Sequence, residues 1–573
     1  MQPHRGIDWR RAARPLAIIV AMLAVMMEVL ASASASHAVD LQVPLGDFGA
    51  QVFALGPVHV YAPWAPIAWL LGAIRSVPAH IAGVRGIYVP AFAPGASPAH
   101  LLILHRVAVA TTVLVFASIL AVIIVFVVSR AEPSDLHGRA RWATPRDISM
   151  SSLVGPVEGV VLASADNRPL IYDGPANVLV LGPPGSGKTY STAIATLRRT
   201  WHRSAIVLDP ATDIFAAVAP EPPWGVRILR FDARDAATVR INPLAGIATN
   251  DIAEIRTILA PMVLPPTVTE NATERYFDES ALELIVAFSS LAIERGDATL
   301  GGVARLIVDP EIADEKELCE QLLASSVPFA QQTGTRFAAM ESRQRSPIVA
   351  TMHRHMQIFR IDSVDHATSA SDVDIASLRT QPTQLYLTMH ERDQQSLAPL
   401  YAMILGRLLD DCTHALPTER DLSILAMLDE FHLVASQSLA TKLATLRKYR
   451  VRVALLSQTY AQIQLRCGGA HETISGVCSV RAYYRTLDAA TQRLAAESLG
   501  SETRYQVAHA RQRDGSISHT TTETQRPLLL PAELGELADD EVLVHVAGEP
   551  PIRAHRTRVH SVQNRRFPEQ IRS

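Results

Sequence analysis

Twelve residues, Val178-Leu179-Val180-Leu181-Gly182-Pro183-Pro184-Gly185-Ser186-Gly187-Lys188-Thr189, restrict the possible fold more than any other stretch of this chain. An apolar run rich in valine and leucine stops at a glycine, two prolines and two further glycines, then restarts as a helix-forming segment from Tyr190 to Arg199. Gly182, four intervening residues and Gly187-Lys188-Thr189 have P-loop spacing, with the strand before and the helix after that the motif requires. Gly185 and Gly187 allow the backbone to turn its N–H groups inward at a helix N-terminus, where the dipole favours anions. The loop Gly182, Pro183, Pro184, Gly185, Ser186, Gly187, Lys188 and Thr189 is therefore expected to bind ATP. Lys188 reaches the β- and γ-phosphates, and Thr189 ligates Mg²⁺. The competing reading is a glycine turn matched by accident. The chain has only four lysines (Lys188, Lys316, Lys442 and Lys448), which argues against a chance lysine at this position.

At 573 residues the chain is too long for one core. A net charge of −3 argues against wholesale electrostatic wrapping of nucleic acid, while leaving room for local basic patches. Cys319, Cys412, Cys467 and Cys478 form no C-x-x-C pair, so neither a zinc site nor a disulfide framework is expected. They read as buried small hydrophobes in a reducing compartment.

Arg5, Arg10, Arg11 and Arg14 precede an apolar run, Leu16 to Leu30, broken only by Glu28. This is either a retained transmembrane helix (about 16–31) with a positive cytoplasmic start, or a signal peptide with small residues at 31–38 for cleavage. The retained helix is preferred. A second apolar segment, 101–128, is long enough to span a bilayer and is followed by Arg130, Arg139 and Arg141. Both readings of the first segment leave everything after residue 130 in the cytoplasm, where ATP is. Trp64 to Ile74 is apolar but short, and reads as interfacial or re-entrant.

Past the P-loop, Ala205 to Asp209 and Val226 to Phe231 read as further strands, so apolar runs alternate with helical stretches as in a parallel, helix-flanked sheet. Helical periodicity then dominates from about 252 to 356, suggesting an all-helical insertion. The sheet resumes at Gln384–Thr388, and Leu422 to Leu428 is an apolar strand ending in Asp429-Glu430. With a P-loop upstream, that ending is a Walker B arrangement. Asp429 holds Mg²⁺ through water, and Glu430 orients and polarises the attacking water. Taken alone, the two acids would pass for ordinary loop residues. Gln458, at the tip of the strand Val451 to Leu456, is either a sensor of the γ-phosphate or a turn residue. Arg447, Arg450 and Arg452 are either a solvated cationic helix end or the source of an arginine finger for a neighbouring subunit. His353 and His355 diverge on a helix and are expected at the surface. Arg511 to Thr524 is polar and expected to be a flexible loop, ahead of a strand pair at 541–546 and 552–559.

Together these residues resemble the TraG-type coupling proteins of type IV secretion and conjugation systems. The resemblance rests on His137-Gly138-Arg139-Ala140-Arg141-Trp142-Ala143, the P-loop, Asp209-Pro210, Ile241-Asn242-Pro243-Leu244, Leu428-Asp429-Glu430-Phe431, Ser457-Gln458-Thr459 with Gln462, and Pro550-Pro551-Ile552-Arg553-Ala554. Asp209-Pro210-Ala211-Thr212-Asp213 departs from the polar pair common in the family, and Pro183-Pro184 is unusual. The resemblance implies an α/β, RecA-like ATPase with an inserted helical domain and N-terminal transmembrane helices. It divides the chain into a membrane anchor (1–131), a nucleotide-binding domain (132–251 and 357–573) and the insertion (252–356). It also implies a multi-pass protein of the bacterial inner membrane, assembled as a hexameric ring, with Arg447 as the finger. Its expected partners are DNA–relaxase complexes or secreted protein effectors, and the components of a type IV secretion channel. Basic residues facing a pore would contact DNA without reading its sequence. Two alternatives share much of this sequence logic: a double-stranded DNA translocase of the chromosome-partitioning type, and a nucleotide-binding membrane scaffold without turnover.

Overall fold

The computed structural model describes residues 52–55, 58–61, 136–264, 272–308, 315–511 and 517–557. The chain divides into two compact units, Met1–Ser134 and Asp135–Ser573. Within the first, β1 (Val52–Leu55) and β2 (Val58–Tyr61) pair antiparallel. The apolar segments at 16–31, 64–74 and 101–128 lie outside the described residues. Among the described residues, no helix is long and apolar enough to cross a membrane.

The second unit is built on an eleven-stranded sheet. Its strands are β3 (Val160–Ala165), β4 (Arg168–Tyr172), β5 (Val178–Leu181), β6 (Ser204–Asp209), β7 (Arg227–Phe231), β8 (Thr383–Thr388), β9 (Ile424–Leu428), β10 (Val451–Ser457), β11 (Val480–Tyr484), β14 (Glu541–Val546) and β15 (Ile552–His555). The strands numbered between, β12 (Ser501–Arg511) and β13 (Ile517–Pro527), form a separate ribbon. The sheet order is β4-β3-β15-β14-β11-β5-β10-β9-β6-β8-β7. From β11 to β7 every neighbour is parallel. Residues of β5, β6, β8 and β9 are all buried, as parallel strands covered on both faces must be. One face packs Leu179, Leu181, Leu208 and Leu428 against the helical region. The other packs Val178, Val180, Val207 and Met427 against Ile194, Leu197 and Tyr386.

The expected parallel sheet is present from β11 to β7, and β14, β15, β3 and β4 extend it antiparallel into a mixed sheet. Short connections account for the β14–β15 and β3–β4 pairs. β3 and β4 are joined by Asp166-Asn167, both at positive φ (49° and 60°), a two-residue turn whose twist suits a hairpin.

Six helices, Ile252–Val263, Ala272–Glu294, Leu300–Val308, Glu315–Leu323, Pro328–Ala338 and Ser342–Met356, fill the region expected to be helical. Two short helices, Asp362–Ala367 and Ser377–Thr380, carry it on to the edge of β8. Ile252–Val263 packs on Gln394–Asp411, and the core of this region is continuous with one face of the sheet. His353 and His355 are half-buried rather than on the surface. His355 Nε2 lies 3.7 Å from Asp278 Oδ1, and burial lowers its pKa.

A second correction concerns 511–524. Instead of a loop, its described residues belong to the β12–β13 ribbon, paired in register from Ser501↔Pro527 to Arg511↔Ile517. Thr520, Thr521, Thr522 and Thr524 supply β-branched residues that favour an extended backbone without hydrophobicity. The segment 137–143 docks at the base of this ribbon. Ala140 N–H donates to the Ser501 carbonyl at 3.0 Å, and a Cβ on Gly138 would sit 2.2 Å from that same oxygen. Glycine is therefore required there by close approach as well as by its φ of 131°.

Candidate nucleotide-binding site

β5 lies in the middle of the sheet between β11 and β10, so the loop that follows it emerges at the C-terminal edge of parallel strands, where α/β sheets bind ligands. Gly182 N–H donates to the Ser457 carbonyl at 3.1 Å, and Ser186 N–H to the Pro183 carbonyl at 3.1 Å. Gly185 and Gly187 have φ of 77° and 86°, the left-handed geometry their role in the loop requires. The helix then starts as a π-turn, Thr189–Ile194, and continues as Ala195–Leu197. Ser191 Oγ donates to the Gly187 carbonyl at 2.8 Å and meets the Tyr484 hydroxyl at 2.6 Å, tying the helix start to β11.

β9 is separated from β5 only by β10, which brings the strand-end acids to the loop. Thr189 Oγ1 donates to Asp429 Oδ2 at 2.8 Å, and Lys188 Nζ pairs with Glu430 Oε1 at 2.8 Å. Lys188 is 5% exposed, so its ammonium sits in a weakly screened environment where such a pair is strong. Burial pushes Asp429 up to about 6, against the pull of the Lys188 charge. Glu430 stands at φ 47°, an uncommon backbone for a non-glycine residue and one often found where function imposes strain. Its N–H donates to Asp429 Oδ1 at 3.1 Å. Glu430 Oε2 and His432 Nδ1 are both buried without a hydrogen-bond partner among the described residues, 3.4 Å apart and misaligned. Burial lowers the His432 pKa.

Asp209, at the end of β6, accepts from Phe215 N–H at 2.7 Å and so holds the start of the helix Asp213–Val218. Burial pushes it up to about 6 as well. The loop that departs from the family pattern thus has a structural task.

Gln458 follows β10 directly, half-buried, at the same edge as Gly182 and Asp429. Arg447 is exposed on the turn Leu446–Tyr449 before β10, at the opposite edge. Seven strand residues at about 3.3 Å each put it roughly 20 Å from this chain's own P-loop. Arg450 donates to the Thr418 carbonyl at 2.7 Å, and Arg452 pairs with Asp173. Among the described residues, the Arg447 side chain has no such tie.

Sequence reasoning passed over Ser191, Tyr484, His432 and one basic side chain at this site. Arg556, just beyond β15, donates from Nη1 to the Ser186 carbonyl at 3.1 Å. No motif marks it; only the pairing of β15 with β14 and β3 brings it here.

The donor set suits a magnesium triphosphate. A hydroxyl and a carboxylate converge as hard oxygen ligands, a buried ammonium stands beside them, and the loop offers backbone N–H groups.

A family model described as "Type IV secretory system Conjugative DNA transfer" matches residues 153–566. Protein VirD4 of Rhizobium radiobacter is 24% identical over 448 residues, covering 74% of this chain and 64% of that protein. The conjugal transfer protein TraG of Escherichia coli is 25% identical over 583 residues, covering 88% of this chain and 87% of that protein. The chain thus spans just under two thirds of VirD4 and most of TraG. Among solved structures, the bacterial conjugative coupling protein TrwBdeltaN70 in its unbound form superposes with a TM-score of 0.56 at 16% identity, over 73% of this chain and 95% of that one. The plasmid coupling protein TrwB in complex with a non-hydrolysable ATP analogue gives 0.56 at 17% identity, over 73% and 93%. At these identities the likeness is one of fold.

Proposed function

The chain belongs to the type IV secretory system conjugative DNA transfer family, and on that footing we propose that it is the coupling ATPase of such a system. It hydrolyses ATP to recruit DNA–relaxase complexes or protein effectors and deliver them to the secretion channel. The observation that carries this reading is the convergence of Lys188, Thr189, Asp429 and Glu430 at one sheet edge. TrwB structures with an ATP analogue and with ADP and Mg²⁺ support the same cofactors here.

The chemistry follows from the pairs already present. A γ-phosphate competes with Glu430 for the Lys188 ammonium, and its binding releases the Glu430 carboxylate to orient and deprotonate water. Thr189 and Asp429 would hold Mg²⁺. When bound, the ion neutralises charge on the phosphates. Gln458 senses the γ-phosphate from the neighbouring strand end. Arg447, exposed and too far from its own P-loop, acts on the nucleotide of an adjacent subunit in a hexameric ring. DNA is held through its phosphates without sequence preference. The segments at 16–31 and 101–128 anchor the protein in the inner membrane as a multi-pass protein with the ATPase unit cytoplasmic.

The test is ATP turnover of a chain starting at residue 131, with and without DNA. Lys188→Ala should abolish turnover, and Glu430→Gln should leave ATP bound but uncleaved. Normal rates in both variants would sink the reading. Arg447→Ala should lose activity only in the assembled ring, and mixing it with Lys188→Ala subunits should restore some turnover. Absence of rescue counts against a finger acting between subunits.

A further inference from the structure

The peptide joining Ser186 to Gly187 lies between two residues of the phosphate loop, and Gly187 sits at φ 86° with no side chain to limit its rotation. In a planar trans peptide the C=O and N–H point in opposite directions, so whatever holds the Ser186 oxygen also aims the Gly187 N–H. Arg556 holds that oxygen, with Nη1 donating at 3.1 Å. The guanidinium also fills the space beside Gly187, where an added Cβ would stand 2.9 Å from Arg556 Nη1 and 3.2 Å from its Cδ. Gly187 is thus needed for Arg556 to approach as well as for its own backbone angle.

The arginine is carried on a rigid support. Its N–H donates to the Asp540 carbonyl at 2.8 Å, and the strand before it, β15, is paired with β14 and β3. The same stretch is fastened to the segment 137–143. Ala143 N–H donates to the Pro551 carbonyl at 2.9 Å, and the Arg553 guanidinium lies 4.5 Å from the centroid of the Trp142 ring. That contact adds cation–π attraction.

We infer that Arg556 is a positioning residue of the nucleotide site, which pins the Ser186–Gly187 peptide so that the Gly187 N–H faces the bound phosphate. The inference rests on the P-loop reading above and adds to it a residue of the same chain acting from outside the loop. Arg556 moves no proton and touches no reacting atom. Its loss therefore weakens nucleotide binding more than it slows the chemical step.

The experiment uses the full chain in detergent, with Mg²⁺ and a fluorescent ATP analogue for affinity and ATP hydrolysis for KM and kcat. Arg556→Ala should raise Kd and KM about tenfold, the loss of one charge-assisted hydrogen bond, while kcat changes by less than about threefold. Arg556→Lys should recover part of the affinity, because an ammonium can still reach the carbonyl but does not fill the space beside Gly187. An unchanged Kd in Arg556→Ala overturns the inference, as does a collapse of kcat at unchanged affinity. Should the alanine variant fail to fold, the lysine variant decides, with an unchanged Kd again overturning it. Lys188→Ala serves as the reference. If it abolishes binding while Arg556→Ala binds normally, only the pin is lost. If Lys188→Ala itself binds normally, the site reading falls and the pin falls with it.

Discussion

Strands β5, β6, β8 and β9 bury every residue, whereas β15 alternates buried and exposed and β4 begins exposed. The two halves of the sheet divide the work in the same way. The parallel half delivers the loop at Gly182, the acids at 209, 429 and 430, and the amide at Gln458 to one edge. The antiparallel half contributes none of these, yet it sends Arg556 to the Ser186 carbonyl and receives the segment 137–143. The candidate site comes from the ends of the central strands, and the flank adds a contact to it.

The contrast can be broken by core truncation. Leu455→Ala, fully buried on β10 between the P-loop strand and the Asp429 strand, should cost about 4 kcal/mol. Ile552→Ala on β15 should cost about 2 kcal/mol, near the low end for such changes, because one face of its strand alternates with solvent. Denaturant midpoints at constant m-value measure both, and equal costs would erase the distinction between the halves.

A smaller effect sharpens the cost of placing acids at the parallel edge. Burial raises Asp209 to about 6, above the roughly 3.9 of an unfolded aspartate. The fold therefore favours its neutral form. The stability this contributes is present below about pH 4 and is lost as pH rises through 6. Asp209→Asn stays neutral and keeps an acceptor for Phe215 N–H. It should be more stable than wild type by about 1–2 kcal/mol at pH 8 and indistinguishable from it below pH 4. Thermal melts across that range check the sign, and a stabilisation that persists at pH 3.5 would exclude the ionisation argument.

The smallest expected change lies at the docked segment. Thr144 caps the helix Pro145–Met150 in a reciprocal box with Asp147, and Arg141 pairs with the same carboxylate. Thr144→Ala should cost about 0.5–1 kcal/mol, with nucleotide affinity unchanged. A large loss of affinity would mean that this segment governs the site more directly than the flank does.

The legible parts of the molecule were those whose physics is local. Val178–Leu181, Ala205–Asp209 and Leu422–Leu428 read as strands because a doubly covered strand is a mostly apolar run. Lys188, Thr189, Asp429 and Glu430 read as a site because loop spacing and strand-end acids carry their chemistry in sequence. The ribbon at 501–527 was missed because its threonines favour extension without a hydrophobic signal. β3, β4 and β11 were missed because Ser164, Pro169 and Arg481 interrupt their apolar runs. The half-burial of His353 and His355 depended on which helices pack beside them.

Sequence alone determined that a glycine loop follows a buried strand and that two acids end another, since backbone freedom and hydrophobic runs are properties of neighbouring residues. Tertiary structure alone decided that β10 lies between those strands, that Arg447 stands at the far edge, and that Arg556 reaches back to Ser186. Each of these depends on strand order, and strand order is set by which distant apolar faces and backbone edges satisfy one another once the chain has closed.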